Sequence, residues 1–346
     1  MSAATAATSL EVPLPTSSYL LTWRRLRRDR VAVAGGIVIL IVIFACFPGE
    51  WIASHLLQHS ADDIFPAGVD INSKPVGMWS HISTAGSASG ATGGPKSTLF
   101  ILGGDGPLGR DEFLRLLEGG RTSLEVALGA TLLALGIGTT IGSIAGFYRG
   151  WVDVVLSRLT ELAMGFPILF LVIAIGFTIS DRLSAITLGG LLVPGVLSLV
   201  AVIGVFNWFY VARIVRAQVL SLREREFVEA ARMTGSGNGR IIRKHLLPHL
   251  AGPLSVYGSL ILAGTIILEA GLSFLNFGIP LPYASWGNMA STNWGTILHP
   301  AGADPSWRTS TWTSFWPAAS IFLTVFAFAL FAEGVRRALD PEGTRA

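Results

Sequence analysis

Long stretches without a single charged residue are the feature that most restricts how this chain can fold. Six of these stretches, called windows here and each 17 to 30 residues long, are also strongly apolar. A helix needs about 20 apolar residues to cross a bilayer, so the windows predict an all-α integral membrane protein with six transmembrane helices. In the second window Gly138, Gly142 and Gly146 predict close helix packing. The windows are 31–47, 126–147, 162–180, 183–212, 250–268 and 309–332.

The remaining composition agrees with a membrane location. Charged residues make up only 14% of the chain, against about 25% in a soluble domain. A net charge of +3 gives no reason to expect nucleic acid as a partner. The single cysteine, Cys46, excludes an intramolecular disulfide and a cysteine-built metal site. The window 183–212 is too long for one straight helix, and we interpret it as a loop and a helix, with Pro194 at a start or a kink.

The distribution of Lys and Arg predicts that both termini are cytoplasmic. Five arginines precede the first window, and no apolar stretch precedes them, so the first span is itself the membrane-targeting element. With six spans, 18 of the 25 basic residues fall on the cytoplasmic side, as the positive-inside rule requires. The predicted segments are a basic tail 1–30, a first span 31–47, an extracytoplasmic segment 48–122, a five-helix core 123–335 and a cytoplasmic tail 336–346.

One cytoplasmic segment, residues 213–249, is unusually polar for this chain. Residues 222–234 are good helix formers, and Gly235 is placed to end that helix as a C-cap. Residues 240–247 predict a second helical stretch, which Pro248 joins to the next span. A short helix presented in this way suits a groove on another protein.

The spacing within this loop resembles the EAA loop of ABC importer permeases, whose pattern is EAA-x3-G-x9-I-x-LP. This chain has His where the family usually has Ile, which is similar to the peptide branch of that family. The matching residues are Glu229, Ala230, Ala231, Gly235, His245, Leu247 and Pro248. The resemblance implies that these residues couple the chain to a cytosolic ATPase.

Similarity to dipeptide and oligopeptide permeases extends over most of the chain from about residue 20. It is carried by "GPLGRDEFLRLLEGGRTSLEVAL" (106–128), "GFYRGWVDVVLSRLTELAMGFP" (146–167), "EAGLSFLNFGIPLPYASWGNM" (269–289) and "FWPAASIFLTVFAFALFAEGVRRALDP" (315–341). The chain departs from the pattern of these permeases in two ways. Its extracytoplasmic segment is longer, because it contains the Gly/Ser-rich residues 81–97, and it has one extra residue between Asp105 and Gly109.

The resemblance implies a C-type subunit with the type I ABC importer permease fold in a bacterial inner membrane. Its implied partners are a second homologous permease, ABC ATPase subunits, an extracytoplasmic substrate-binding protein and membrane lipid. ATP and Mg²⁺ would be bound by the ATPases, and the chain itself would hold no cofactor and no metal. The implied substrates are di- and oligopeptides.

A second candidate set lies toward the outer side, for an outer gate or a contact with the binding protein. It consists of Arg110, Asp111, Glu269 and Trp286. Trp286 is also open to interpretation as part of an interfacial aromatic belt. Three acids lie at the edges of the predicted spans or inside them: Glu125, Glu161 and Glu269. They are candidates either for proton carriers or for structural acids that pair with a neighbour. We favour the structural interpretation.

The sequence contains no recognisable catalytic motif. Without a Gly-Lys dipeptide there is no P-loop, and HExxH and GxSxG are also absent. Gly104, Gly106 and Gly109 match GxGxxG, but a membrane span follows where a dinucleotide-binding unit would continue. Alternatives to peptide import are ABC transport of nickel or another small solute, a proton-coupled secondary transporter using Glu161 and Glu269, and a membrane scaffold or sensor.

Overall fold

The structure, a computed structural model, describes residues 18–69, 75–83, 97–170, 172–174, 192–292 and 307–339. Helices dominate these ranges. In chain order they are α1 (Ser18–Arg28), α2 (Arg30–Leu57), α3 (Glu112–Tyr148), α4 (Gly150–Met164), α5 (Val196–Val205), α6 (Trp208–Leu222), α7 (Glu226–Met233), α8 (Asn238–Phe274), α9 (Trp286–Thr292) and α10 (Trp307–Leu339). A π-helical turn interrupts α2 at Ala45–Gly49 and α8 at Ile241–Leu246.

Four of these helices are long and apolar enough to cross a membrane: α2, α3, α8 and the Thr313–Leu339 part of α10. Two further pairs pass the same test together, each bent at a short break: α4 with Ile168–Ala174, and α5 with α6. The described residues therefore contain four to six candidate spans, which confirms a multi-span helical protein. Most of the Gly/Ser-rich stretch 81–97 and the outer parts of both predicted tails lie outside the described residues.

The window 183–212 is described from residue 192 onward. Helix α5 begins at Val196, after Pro194 and a left-handed Gly195 with φ of +92°. The expected helix start near Pro194 is therefore confirmed. The bend lies further along, at Phe206 and Asn207, where α5 and α6 meet at 42°.

Helices α3 and α6 form the closest packing in the core. A Cβ atom placed on Gly138 would lie 2.5 Å from the Val211 Cβ, and one on Gly146 would lie 2.9 Å from the Val219 Cβ. Gly142, between them, faces Val215 and the Ala212 carbonyl in the same way. Three glycines spaced four residues apart thus form a groove that accepts a matching row of valines, as the small-xxx-small pattern predicts.

The segment between α2 and α3 folds into two short antiparallel hairpins. Strand β1 (Ser80–Ser83) pairs with β2 (Ser97–Phe100), and β3 (Gly104–Asp105) pairs with β4 (Arg110–Asp111). The GxGxxG glycines lie in and beside the second hairpin. Gly106 and Gly109 have φ of +62° and +65°, and a Cβ on Gly109 would lie 2.4 Å from the Phe65 carbonyl oxygen. These glycines therefore serve a tight turn and a close backbone approach.

Candidate functional site

Helix α7 forms from a sequence with favourable charges at both ends. Glu226 and Glu229 lie in its first turn and Arg232 in its last, each stabilising the helix dipole. The helix ends in a Schellman motif: the Gly235 N–H donates to the Arg232 carbonyl (2.9 Å) and the Ser236 N–H to the Ala231 carbonyl (3.0 Å). Gly235 has φ of +78°, so the C-cap expected there is confirmed.

One face of α7 is buried within its own chain. Val228 and Ala231 belong to a cluster, called here the inner cluster, that joins the ends of α3, α6 and α8 that lie nearest α7. Its other buried members are Phe147, Val211, Val215, Val219, Ile241, Leu246 and Leu250. Because this cluster includes residues of four helices, α7 is packed against the spans of its own chain.

The opposite face of α7 is exposed and consists of Glu226, Glu229, Ala230 and Met233, which follow helical spacing. Met233 is 85% exposed. No ion pair to Glu229 occurs among the residues that the structure describes. This surface, called here the α7 face, is an apolar methionine and a small alanine beside two carboxylates.

The two alanines of the motif have different environments. Ala231 is buried in the inner cluster, whereas Ala230 lies on the α7 face. Both alanines were expected to couple the chain to an ATPase. Neighbouring helical residues point about 100° apart, so Ala230 is the one of the two that is free to meet a partner.

The second half of the motif lies at the start of α8. His245 and Leu247 are half-buried, Leu247 against the inner cluster, and Pro248 is exposed. The His245 carbonyl accepts a hydrogen bond from His249 Nδ1 (2.7 Å). After the π-helical turn, helix α8 continues from Leu247 through Pro248 into the span, and α6 already extends to Leu222. The connecting loop proper is therefore shorter than the predicted 213–249.

Further contacts that the sequence analysis missed fix α7 in place. The His249 ring stacks on Phe227 at 4.8 Å, which joins α7 to α8. Arg223 donates to the Phe147 carbonyl (2.8 Å), and the Arg232 guanidinium lies 5.5 Å from the centre of the Phe147 ring. These pairs bring together residues far apart in sequence, which only the folded chain reveals.

The four outer candidates are all buried in this chain. Arg110 donates to the Pro282 carbonyl (3.1 Å), and Asp111 caps α3 by accepting from the Phe113 N–H (2.8 Å). Arg115, which the sequence analysis did not select, donates to the same Pro282 carbonyl (3.3 Å) and pairs with Asp105 (2.6 Å). This network ties the second hairpin to the loop that precedes α9.

Glu269 and Trp286 meet beneath that loop. The Glu269 carboxylate faces the hydroxyls of Ser123, Ser273 and Ser285, with the Ser273 hydroxyl at 2.7 Å. Trp286 is 2% exposed, and its indole N–H donates to the Leu116 carbonyl (2.9 Å). The interpretation of Trp286 as a lipid-facing belt residue is therefore wrong, because its ring lies in the core between α3 and α8.

The two other acids are paired, as favoured. Glu125 accepts from Arg121 (2.9 Å) and Glu161 from Arg158 (2.7 Å). Within the described ranges no group of three or more His, Cys, Asp or Glu side chains is arranged to hold a metal ion.

A second outer contact is a buried pair between His59 and Asp111. His59 Nε2 lies 3.0 Å from Asp111 Oδ2, and Nδ1 lies 3.0 Å from the Leu57 carbonyl oxygen. Burial lowers the pKa of His59, but the bond to Asp111, the bond to Leu57 and the nearby carboxylate charges outweigh burial and raise the pKa. Both ring nitrogens face acceptors, which suits the protonated imidazole.

The raised pKa of His59 predicts how the segment between α2 and α3 responds to pH. Below the usual histidine pKa of about 6.5, the protonated pair stabilises the fold fully. That contribution is lost as pH rises through the higher folded pKa. Limited proteolysis of the purified subunit at pH 6 and pH 8.5 is expected to cut this segment faster at pH 8.5. His59→Gln should remove the difference between the two pH values.

The matched control is His55→Gln, because His55 is exposed on the last turns of α2, four residues before His59, and contacts only Trp51 through its carbonyl (2.8 Å) and its ring among the described contacts. This variant should keep the wild-type pH dependence. Equal cleavage of the wild type at both pH values would contradict the stabilising role of the His59–Asp111 pair.

Two known protein families match this chain, and together they cover most of its length. Residues 138–343, more than half of it, match the family described as binding-protein-dependent transport system inner membrane component. Residues 18–75 match the N-terminal transmembrane domain of oligopeptide transport permease C.

Individual relatives align over almost the full length. The chain is 38% identical to a permease protein of Brucella ovis, over 95% of this chain and 93% of the relative. It is 32% identical to the dipeptide transport system permease protein DppC of Bacillus subtilis, over 96% and 88%. It is 31% identical to the oligopeptide transport system permease protein OppC of Haemophilus influenzae, over 92% and 87%.

Proposed function

The chain belongs to the inner membrane components of binding-protein-dependent transport systems, and from that premise we propose that it imports di- and oligopeptides. It is a multi-pass permease of the bacterial inner membrane. Relatives named as dipeptide and oligopeptide permeases support a peptide substrate, as does His245 at the position where the family usually has Ile. A second homologous permease would form the other wall of the path, and a substrate-binding protein would deliver the peptide outside.

The proposed topology has six spans with both termini in the cytoplasm. Counting each bent pair as one span supports the number six, and the excess of Lys and Arg in the resulting inner segments supports the orientation. In this arrangement residues 48–122 lie outside, the core 123–335 crosses the membrane five times, and the tails 1–30 and 336–346 lie inside.

The α7 face carries the functional proposal. Helix α7 is packed on one side against its own spans and presents Glu229, Ala230 and Met233 on the other. A carboxylate without an ion-pair partner in the described chain suits a basic group on a cytosolic ATPase, and Ala230 permits close approach. ATP and Mg²⁺ would be bound by that ATPase. Movement of the bound ATPase would be transmitted through the inner cluster to α3, α6 and α8.

The first test is affinity purification of the tagged chain from its native membrane in mild detergent, with mass spectrometry of the proteins that accompany it. We expect an ABC ATPase and a second permease. Recovery of the chain alone would contradict the proposal and favour a proton-coupled transporter or a scaffold. Peptide uptake that persists with an uncoupler while ATP remains would separate the ATP-driven mechanism from the proton-coupled one.

The outer set is proposed as a gate rather than a docking surface, because all four side chains are buried. Glu269 accepts from Ser273 on its own helix (2.7 Å) and lies beside Ser123 of α3 and Ser285 of the loop before α9. Glu269→Gln keeps the shape but replaces one carboxyl oxygen by an amide NH₂ group, which donates and does not accept. A buried polar group that loses its partner costs about 1–3 kcal/mol, so we expect peptide uptake to fall roughly tenfold at unchanged expression.

Glu125→Gln is the matched control, since it is the same substitution at an acid that forms a partly exposed pair with Arg121. We expect it to retain uptake within about twofold, because the Arg121 side chain is 41% exposed and a pair open to solvent contributes about 1 kcal/mol or less. Full uptake by the Glu269→Gln variant would remove Glu269 from the gate.

A further inference from the structure

A cavity of about 330 Å³ lies between α3, α4 and α6 on the side of the inner cluster. Its walls carry small or short side chains from α3, among them Gly142 and Ala145, and Ser157 and Thr160 from α4. Binding sites for small molecules begin at about 300 Å³, so the cavity has room for a short peptide segment or one end of a longer peptide.

Charges of both signs line this cavity. Arg213, Arg216 and Glu161 are among its lining residues. Arg216 is held by Asp153, with Nη2 2.8 Å from Oδ2. Among the described residues Arg213 has no ion-pair partner. Glu161 is bonded to Arg158 through one oxygen, Oε2.

These charges lie at the edges of the apolar windows. Arg213 directly follows the window 183–212, and Glu161 directly precedes the window 162–180. Charged side chains at such an edge face water, a polar cavity or a partner charge.

We propose that this cavity is an inner station of the transport path, where the α-carboxylate of a peptide pairs with Arg213 and its α-ammonium with Glu161. The inference rests on the proposed function, because it takes a peptide as the cargo. A zwitterion satisfies both signs of charge at once, whereas a purely anionic or purely cationic solute leaves one sign without a partner. Arg216 is held by Asp153, so Arg213 is the guanidinium available to the cargo.

The test uses the assembled importer, reconstituted in lipid vesicles with its ATPases and binding protein. The probe is a ¹⁴C-labelled mixture of di- to pentapeptides. A photo-crosslinking amino acid, p-benzoylphenylalanine, replaces Met164, a half-buried residue of the cavity wall. Illumination during ATP turnover is expected to attach labelled peptide to this variant. The same residue in place of Val155, which is exposed on α4 and does not line the cavity, is expected to attach little.

Arg213→Gln is expected to lower both the labelling at position 164 and peptide uptake about fivefold, through loss of one charge-assisted contact. Arg336→Gln makes the same change at an exposed site at the end of α10 and should leave both unchanged. ATP-driven uptake without labelling at position 164 would overturn the inner station alone. A lipid adduct in place of peptide would overturn it too, in favour of a zwitterionic headgroup. Absence of any peptide uptake by the unmodified importer would instead contradict the proposed function.

Discussion

Replacing Gly235 by aspartate is expected to abolish transport while leaving the subunit in the membrane at normal abundance. Gly235 ends α7 at φ of +78°, a conformation that costs other residues about 1 kcal/mol or more. No heavy atom of the chain lies within 4 Å of the position of an added Cβ, so the fold accommodates the side chain. The new carboxylate would project where the ATPase is proposed to dock.

The expected loss of uptake is about a hundredfold or more, the size of effect found when a central interface residue is changed. Peptide uptake and co-purification of the ATPase, both measured against subunit abundance, check it. Gly237→Asp is the matched control. Gly237 is equally open but has an ordinary φ of −68° and stands at the N-cap of α8, where aspartate is favourable. The control should retain much more uptake. Survival of uptake in the Gly235→Asp variant would show that the coupling assignment is wrong.

Much of the structure around α7 could be predicted, because the sequence features that determine it are local. A glycine after a helical stretch predicts a left-handed C-cap, and Gly235 has that conformation. Helix α7 itself was expected over 222–234 and spans Glu226–Met233. The orientation of the helix could not be predicted from periodicity alone, because both faces contain small or apolar residues. Burial of Val228 in the inner cluster decides which face is free.

The arrangement of the segment between α2 and α3 was less predictable, since its contacts are long-range. The Pro282 carbonyl accepts from Arg110 and Arg115 across more than 160 positions of sequence. The His59–Asp111 pair joins the end of α2 to the start of α3. Neither contact follows from periodicity or spacing, because each depends on how an irregular segment folds over the helix ends.

Replacing Gly138 by leucine is expected to prevent the subunit from folding. The first atom added at this position would lie 2.5 Å from the Val211 Cβ and 2.6 Å from the Trp208 carbonyl oxygen. Backbone and β-branched atoms cannot rotate away, so α3 and α6 would have to separate along their closest contact. Overpacking of a well-packed core costs about 1–3 kcal/mol, and forced separation of two spans is expected to exceed that range. Immunoblotting of membranes and thermal aggregation of the detergent-solubilised subunit measure the effect.

Gly136→Leu provides the comparison on the same helix, two residues away. An added Cβ there meets nothing within 4 Å, and leucine has a higher helix propensity than glycine by up to about 1 kcal/mol. This variant is expected to accumulate in the membrane at wild-type level, whereas Gly138→Leu is degraded. Equal loss of both variants would mean that α3 tolerates no bulky residue for reasons other than its contact with α6. Equal retention would mean that the glycine groove is not needed for the packing of the two helices. Only a difference between the two variants would show that the spacing of Gly138, Gly142 and Gly146 serves the contact with the row of valines on α6.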